Sequence, residues 1–128
     1  MEGNLLKFSE VHHISLNVSD AQRDTAFYTD VLGFKAIPRP ELPFKGAWLE
    51  MGQQQLHLLE IANFKAPKGQ HFAFSVADIH KARDLLIAQA VKVSEPQEIK
   101  GVCLQCFFRD PSGNLLELNQ PLPSRGAD

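Results

Sequence analysis

The sequence predicts an α+β fold built from two βαβββ modules, and three observations carry that prediction. The alternating run His13-Ile14-Ser15-Leu16-Asn17-Val18, closed by Asp20, returns as His71-Phe72-Ala73-Phe74-Ser75-Val76, closed by Asp78. Each run is followed by a stretch with helical spacing. Each half then ends in a strand that carries one polar residue between leucines, Leu56-His57-Leu58 and Leu116-Glu117-Leu118. A strand has period two, so His13, Ser15 and Asn17 share one face and Ile14, Leu16 and Val18 the other. The same parity sets His71, Ala73 and Ser75 against Phe72, Phe74 and Val76. Each apolar face can pack under the following helix, which leaves each histidine on the more polar side.

The elements follow in order. Residues 1–9 read as a loosely docked arm. Ser19 or Asp20 is a good N-cap for a helix from Ala21 to Leu32, with Ala26, Phe27, Val31 and Leu32 at helical spacing and Gly33 as its stop. A strand from Phe34 to Ile37 precedes Pro38-Arg39-Pro40-Glu41-Leu42-Pro43, where three prolines remove three amide donors and enforce a loop. Gly46–Met51 and Gln54–Leu59 read as a hairpin turning at Gly52-Gln53. The first module spans 10–61, and a linker with Pro67 and Gly69 leads to the second, 70–120. There Asp78 caps a helix whose apolar side holds Ile79, Ala82, Leu85, Leu86 and Ala90. A short strand at Val91–Val93, a loop through Pro96 and a strand Val102–Arg109 follow. Asp110-Pro111-Ser112-Gly113 suits a type I turn, with proline second and glycine fourth. Strand Asn114–Asn119 completes the module, and 121–128 reads as a disordered tail.

Composition excludes several classes of function. A chain of 128 residues with 44% hydrophobic and 22% charged residues suits one globular core. A formal charge of −2 with scattered Lys and Arg gives no nucleic-acid footprint. No apolar run approaches a membrane span, and Met1–Lys7 is too polar for a signal peptide, so a cytoplasmic protein is expected. Cys103 and Cys106 form a C-x-x-C, but three residues along a strand cover roughly 10 Å and change faces, which rules out a disulfide. Two reduced thiols are expected.

The two halves therefore offer His13 and His57 from the first, and His71 and Glu117 from the second, at equivalent places. Three imidazoles and a carboxylate suit one divalent transition ion, Zn, Ni, Fe, Co or Mn, better than Mg or Ca with their all-oxygen shells. His57 can be read as a ligand, a supporting group or a base. His12, on the opposite parity from His13, reads as a rim residue, and His80 as a solvated one. Arg39 is a candidate for an anionic substrate group.

With those residues in view the chain resembles the vicinal oxygen chelate superfamily, the glyoxalase/bleomycin-resistance/dioxygenase fold. The resemblance is carried by His13–Asp20, Phe27-Tyr28 with Leu32-Gly33-Phe34, His71–Asp78, and Asp110-Pro111-Ser112-Gly113-Asn114 leading to Glu117. It implies sheets that curl into an open half-barrel around a divalent metal, with His13, His71 and Glu117 at ligand positions. His57 falls where glyoxalase I enzymes place a glutamate that also moves protons. The resemblance further implies a small-molecule substrate and a homodimer whose cavities lie at the interface, while other members build the cavity within one chain, and the sequence leaves both arrangements open. Such a metal binds two neighbouring substrate oxygens and stabilises an enediolate, while a carboxylate shuttles a proton. Glu117 takes that catalytic role first and His57 second. By parity Asn17, Trp48, Gln105, Phe107 and Asn119 line the cavity, with Trp48 and Phe107 as apolar walls.

Four functions compete. A glyoxalase I-like lyase or isomerase on an α-oxo or hemithioacetal substrate uses the full ligand set. Relatives that take glutathione carry an arginine where this chain has Asn17. An Fe(II) extradiol-type dioxygenase would use His13, His71 and Glu117 with open positions that His57 crowds. A fosfomycin-type thiol transferase shares that triad but expects a serine-rich loop absent from Glu95–Gly101. A metal-free antibiotic-binding module would not need the ligands.

Overall fold

The structure is a computed structural model that describes residues 5–123. Two four-stranded mixed sheets are built from one repeated order of elements. In the first, β1 (His13–Val18), β2 (Lys35–Ile37), β3 (Gly46–Met51) and β4 (Gln54–Glu60) lie in the order β1-β4-β3-β2. In the second, β5 (His71–Ser75), β6 (Gln97–Ile99), β7 (Cys103–Arg109) and β8 (Leu115–Pro121) lie in the order β5-β8-β7-β6. The first and last strands of each sheet run parallel, and the remaining pairs are antiparallel. A parallel pair needs a crossover, and the helix after each first strand begins it.

Helix α1 (Ala21–Ala26) starts where Asp20 accepts a hydrogen bond from the Arg23 amide, and α2 (Ile79–Ala88) where Asp78 accepts from the Lys81 amide. Beyond Ala26 the first helix widens into a π turn, Phe27–Val31, which a purely helical reading to Leu32 misses. The Thr29 hydroxyl donates to the Thr25 carbonyl at 3.0 Å, a side-chain bond that competes with the regular ladder. Gly33, at φ +81°, ends the element as expected.

The second module departs from expectation after α2. No strand forms at Val91–Val93; the strand that pairs with β7 is β6, in the stretch read as a loop. The helix closes earlier, through two bonds from Ala90 N to Ile87 O and from Val91 N to Leu86 O, with Ala90 at φ 65°. That is a Schellman closure with alanine in the left-handed position that glycine usually fills. It takes Ala90 off the helix face and turns 91–93 into a connector, with Val93 still in the core. At the C-terminus β8 runs on to Pro121, and the Leu122 amide donates to Val102 O at 2.9 Å, so 121 and 122 are ordered where a disordered tail was expected; 124–128 lie outside the described residues. Of the N-terminal arm, 1–4 lie outside them too, and Leu5, Leu6 and Phe8 are exposed.

The apolar faces of both sheets feed one core. Val18, Tyr28, Leu49, Leu56 and Leu58 from the first half pack in the same cluster as Ile79, Leu86, Cys106, Phe108, Leu116 and Leu118. A fully buried Leu or Ile contributes about 1.5–3 kcal/mol, so this seam dominates the stability. A buried polar knot fastens it. Tyr28 Oη donates to Asp110 Oδ2 at 2.7 Å, Asn114 Nδ2 donates to the same oxygen and to Asn17 O, each at 2.9 Å, and Ser112 Oγ donates to Asp24 Oδ2. Cys106 lies in the core; Cys103 is buried as well, and both thiols are free. Among the described residues no helix is long and apolar enough to cross a membrane.

Candidate metal centre

Because the core takes the apolar faces, the polar faces point outward. His13, Ser15 and Asn17 are exposed while Ile14, Leu16 and Val18 are covered, and β5 repeats the pattern. In the first sheet Ser15 stands opposite His57, which sets His57 on a diagonal from His13. In the second, Ala73 stands opposite Glu117, which sets Glu117 on the same diagonal from His71. Diagonal neighbours on one face are within reach of long side chains. Two half-sites result, built alike.

In the second half-site His71 Nε2 and Glu117 Oε1 are 3.0 Å apart. His71 Nδ1 lies 2.9 Å from Gly69 O, an atom that only accepts, so Nδ1 carries a proton and Nε2 is the nitrogen left for a ligand. Adjacent N and O ligands at 2.0–2.2 Å from one ion are roughly 3.0–3.4 Å apart, so the observed spacing fits one edge of such a shell. Asn119 Nδ2 donates to Glu117 Oε2 at 2.8 Å and fixes the carboxylate, which is buried. Phe107, opposite Glu117, meets the His71 ring edge-on at 5.4 Å, and Gln105 stands opposite Asn119.

In the first half-site His57 is held between two rings. It stacks on His13 at 4.1 Å and 16°, and on Trp48 at 4.3 Å and 6°. Its Nε2 lies 2.8 Å from Gln55 Oε1. Burial foremost, then the neighbouring His13, His12 and Arg39, hold its pKa below the usual imidazole value. His12 does not keep to the far side that strand parity assigns it. A hydrogen bond of 2.9 Å joins its Nδ1 to His13 Nδ1, because it precedes β1, where strict alternation ends. Gln55 escaped sequence reasoning altogether. The signal was present: it precedes His57 by two residues on the same strand, hence on the same face.

Within one chain the four expected ligands do not all meet. Among the described residues no group of three or more His, Cys, Asp or Glu side chains is gathered for an ion. The donors nevertheless suit a borderline divalent ion by type, two in each half, an exposed histidine beside a buried partner. The other expected contact residues divide. Trp48, Gln105, Phe107 and Asn119 share the faces of the half-sites. Asn17 is exposed on the face of His13. Arg39 braces its own loop, with Nη2 donating to Phe44 O at 2.8 Å and the guanidinium 5.1 Å from the Phe44 ring. It borders a pocket shared with Gln22 and Thr25 of α1.

Two mixed sheets built from a repeated βαβββ order define a protein of the vicinal oxygen chelate class. The chain belongs to the Glyoxalase/Bleomycin resistance protein/Dioxygenase superfamily, whose model matches residues 10–118. It is 32% identical over 127 residues to "Glyoxylase I 4" of Arabidopsis thaliana, covering 91% of this chain and 73% of that one. It is 31% identical to the "Probable lactoylglutathione lyase, chloroplastic" of the same plant over 88% of its own length, but spans only 36% of that protein. Among solved structures, a glyoxalase family protein from Enterococcus faecalis superimposes with a TM-score of 0.78 at 28% identity, covering 88% of this chain and 98% of the other.

Proposed function

We propose that the chain is a divalent-metal-dependent enzyme of glyoxalase I type. It would act as a lyase or isomerase on a small α-oxo or hemithioacetal-type substrate, with each site completed by a second copy. The observation that carries this reading is the repeated diagonal, His13 to His57 and His71 to Glu117, on two outward faces of one chain. Relatives named lactoylglutathione lyase support the reaction class. His13 and His57 of one copy, with His71 and Glu117 of the other, would hold one Zn, Ni, Fe, Co or Mn ion. A divalent ion supplies Lewis-acid polarisation to two adjacent substrate oxygens.

The chain's own groups do the rest. With a divalent ion held by three imidazoles and a single carboxylate, the site would stay net positive and favour negative charge as it develops on substrate oxygens. Glu117 is the proton carrier: Asn119 holds one oxygen, and the other is the atom that now faces His71. Trp48 and Phe107 supply apolar walls, and Gln105 and Asn17 orient polar substrate atoms. Asn17, where glutathione-using relatives carry arginine, points to a thiol adduct other than that of glutathione. Two buried free thiols suit a reducing cytoplasm.

The test is complementation. One variant lacks His13 and His57, and the other lacks His71 and Glu117, all replaced by alanine. Each alone is expected to be inactive towards the hemithioacetal of methylglyoxal with a small thiol. After denaturation and co-refolding, mixed dimers carry one complete site, and activity and one bound ion per mixed dimer return. Failure of the metal-loaded native protein to turn over any such substrate would overturn the reaction. Failure of complementation alone would overturn the shared site.

A further inference from the structure

We infer that Gln55 and Trp48 form a seat that presents His57 to the ion through Nδ1 and removes His57 from the pool of proton carriers. The inference rests on the reading of His57 as a ligand. Gln55 Oε1 can only accept, so at 2.8 Å from His57 Nε2 it requires the proton on Nε2 and leaves the lone pair on Nδ1. Trp48, parallel to within 6° at 4.3 Å, fixes the plane of the ring and hence the direction of that lone pair. Both contacts come from the strands that carry and flank His57, so they are set by register: Trp48 stands opposite His57, and Gln55 lies two residues before it.

The arrangement also says which ring must move. The planes of His13 and His57 are 16° from parallel at 4.1 Å, and the in-plane lone pairs of stacked rings cannot meet at a single ion. His57 is 9% exposed and held at Nε2 and by the Trp48 ring, whereas His13 is exposed on the edge strand β1 and bonded at Nδ1 only to the adjoining exposed His12. If both rings are to hold one ion, His13 is the ring that would leave the stack and His57 the one that would stay. With Nδ1 on the ion and Nε2–H donated to Gln55, neither nitrogen is free to exchange a proton with substrate. Proton transfer then falls to Glu117 alone.

The experiment compares Co(II) titrations of the native protein, Gln55→Leu and Gln55→Glu, read by absorption and by competition with a chelator. A group that orients a ligand typically changes metal affinity about 10–100-fold when removed. Gln55→Leu is expected to weaken Co(II) binding by that factor and to alter the visible band, with the melting of the metal-free protein little changed. Gln55→Glu, which can only accept, is expected to restore both affinity and band. Two-bond 1H–15N spectra of the Zn(II) form should show His57 protonated at Nε2. Unchanged binding in Gln55→Leu, binding in Gln55→Glu as weak as in Gln55→Leu, or a Zn-bound Nε2 would each overturn the seat. A native protein that takes up no Co(II) would overturn the functional reading itself, and the seat with it.

Discussion

Tyr28 and Asp110, 82 positions apart in the chain, meet in a buried hydrogen bond of 2.7 Å that joins the first helical segment to the last turn. Burial pushes the Tyr28 hydroxyl far above its usual range, with Asp110 adding to the shift. The phenol is therefore a permanent donor. Tyr28→Phe leaves Asp110 with one donor fewer in a site closed to water. Removing one partner of a buried hydrogen bond costs about 1–3 kcal/mol, and urea melts of the metal-free protein should show a loss of that size.

Ala90 makes a prediction of the opposite sign. It stands at φ 65°, where a Cβ costs about 1–2 kcal/mol that glycine avoids. The greater freedom of glycine in the unfolded chain returns part of this, about 0.5–1 kcal/mol. Ala90→Gly is expected to stabilise the fold by about 0.5–1 kcal/mol, measured as a raised denaturation midpoint at unchanged slope.

His57 sets a pH response in the metal-free protein. Its folded pKa lies below the unfolded value of 6.5, mainly through burial. Its neutral form thus contributes stability above pH 6.5 that is lost as pH falls through the lowered folded value. Thermal melts in chelator should decline on the acid side of 6.5. In His57→Gln that part of the decline should disappear, and a profile identical to the native one would refute the assignment.

Glu117→Gln separates holding an ion from moving a proton. The amide oxygen can still ligate, but the side chain no longer takes up a proton. Metal content by elemental analysis should persist while turnover falls about 10²–10⁴-fold, the usual contribution of a positioned acid or base. Surviving turnover would move the proton to another group.

How much of this was legible beforehand depended on how local each signal was. The alternating runs at 13–18 and 71–76, the caps Asp20 and Asp78 and the polar exceptions at 57 and 117 are local and periodic; they placed the first and last strands of both sheets and singled out the four side chains proposed as donors. The β6 strand was missed because Gln97-Glu98-Ile99 has no apolar alternation; it forms by pairing with Leu104 and its neighbours. The end of α2 was misread because alanine, not glycine, takes the left-handed position. Parity misplaced His12 because it lies outside the strand. The division of the donors into two pairs within a chain is a matter of tertiary packing, which a repeat in the sequence does not reveal.

The seam that binds the halves lies wholly on the inward sides of the two sheets. The outward sides take no part in that seam, although His57 and Glu117 are buried on them. A lineage carrying this scaffold can exchange cavity side chains such as Asn17 or Gln105, and with them its substrate, while the melting point hardly moves.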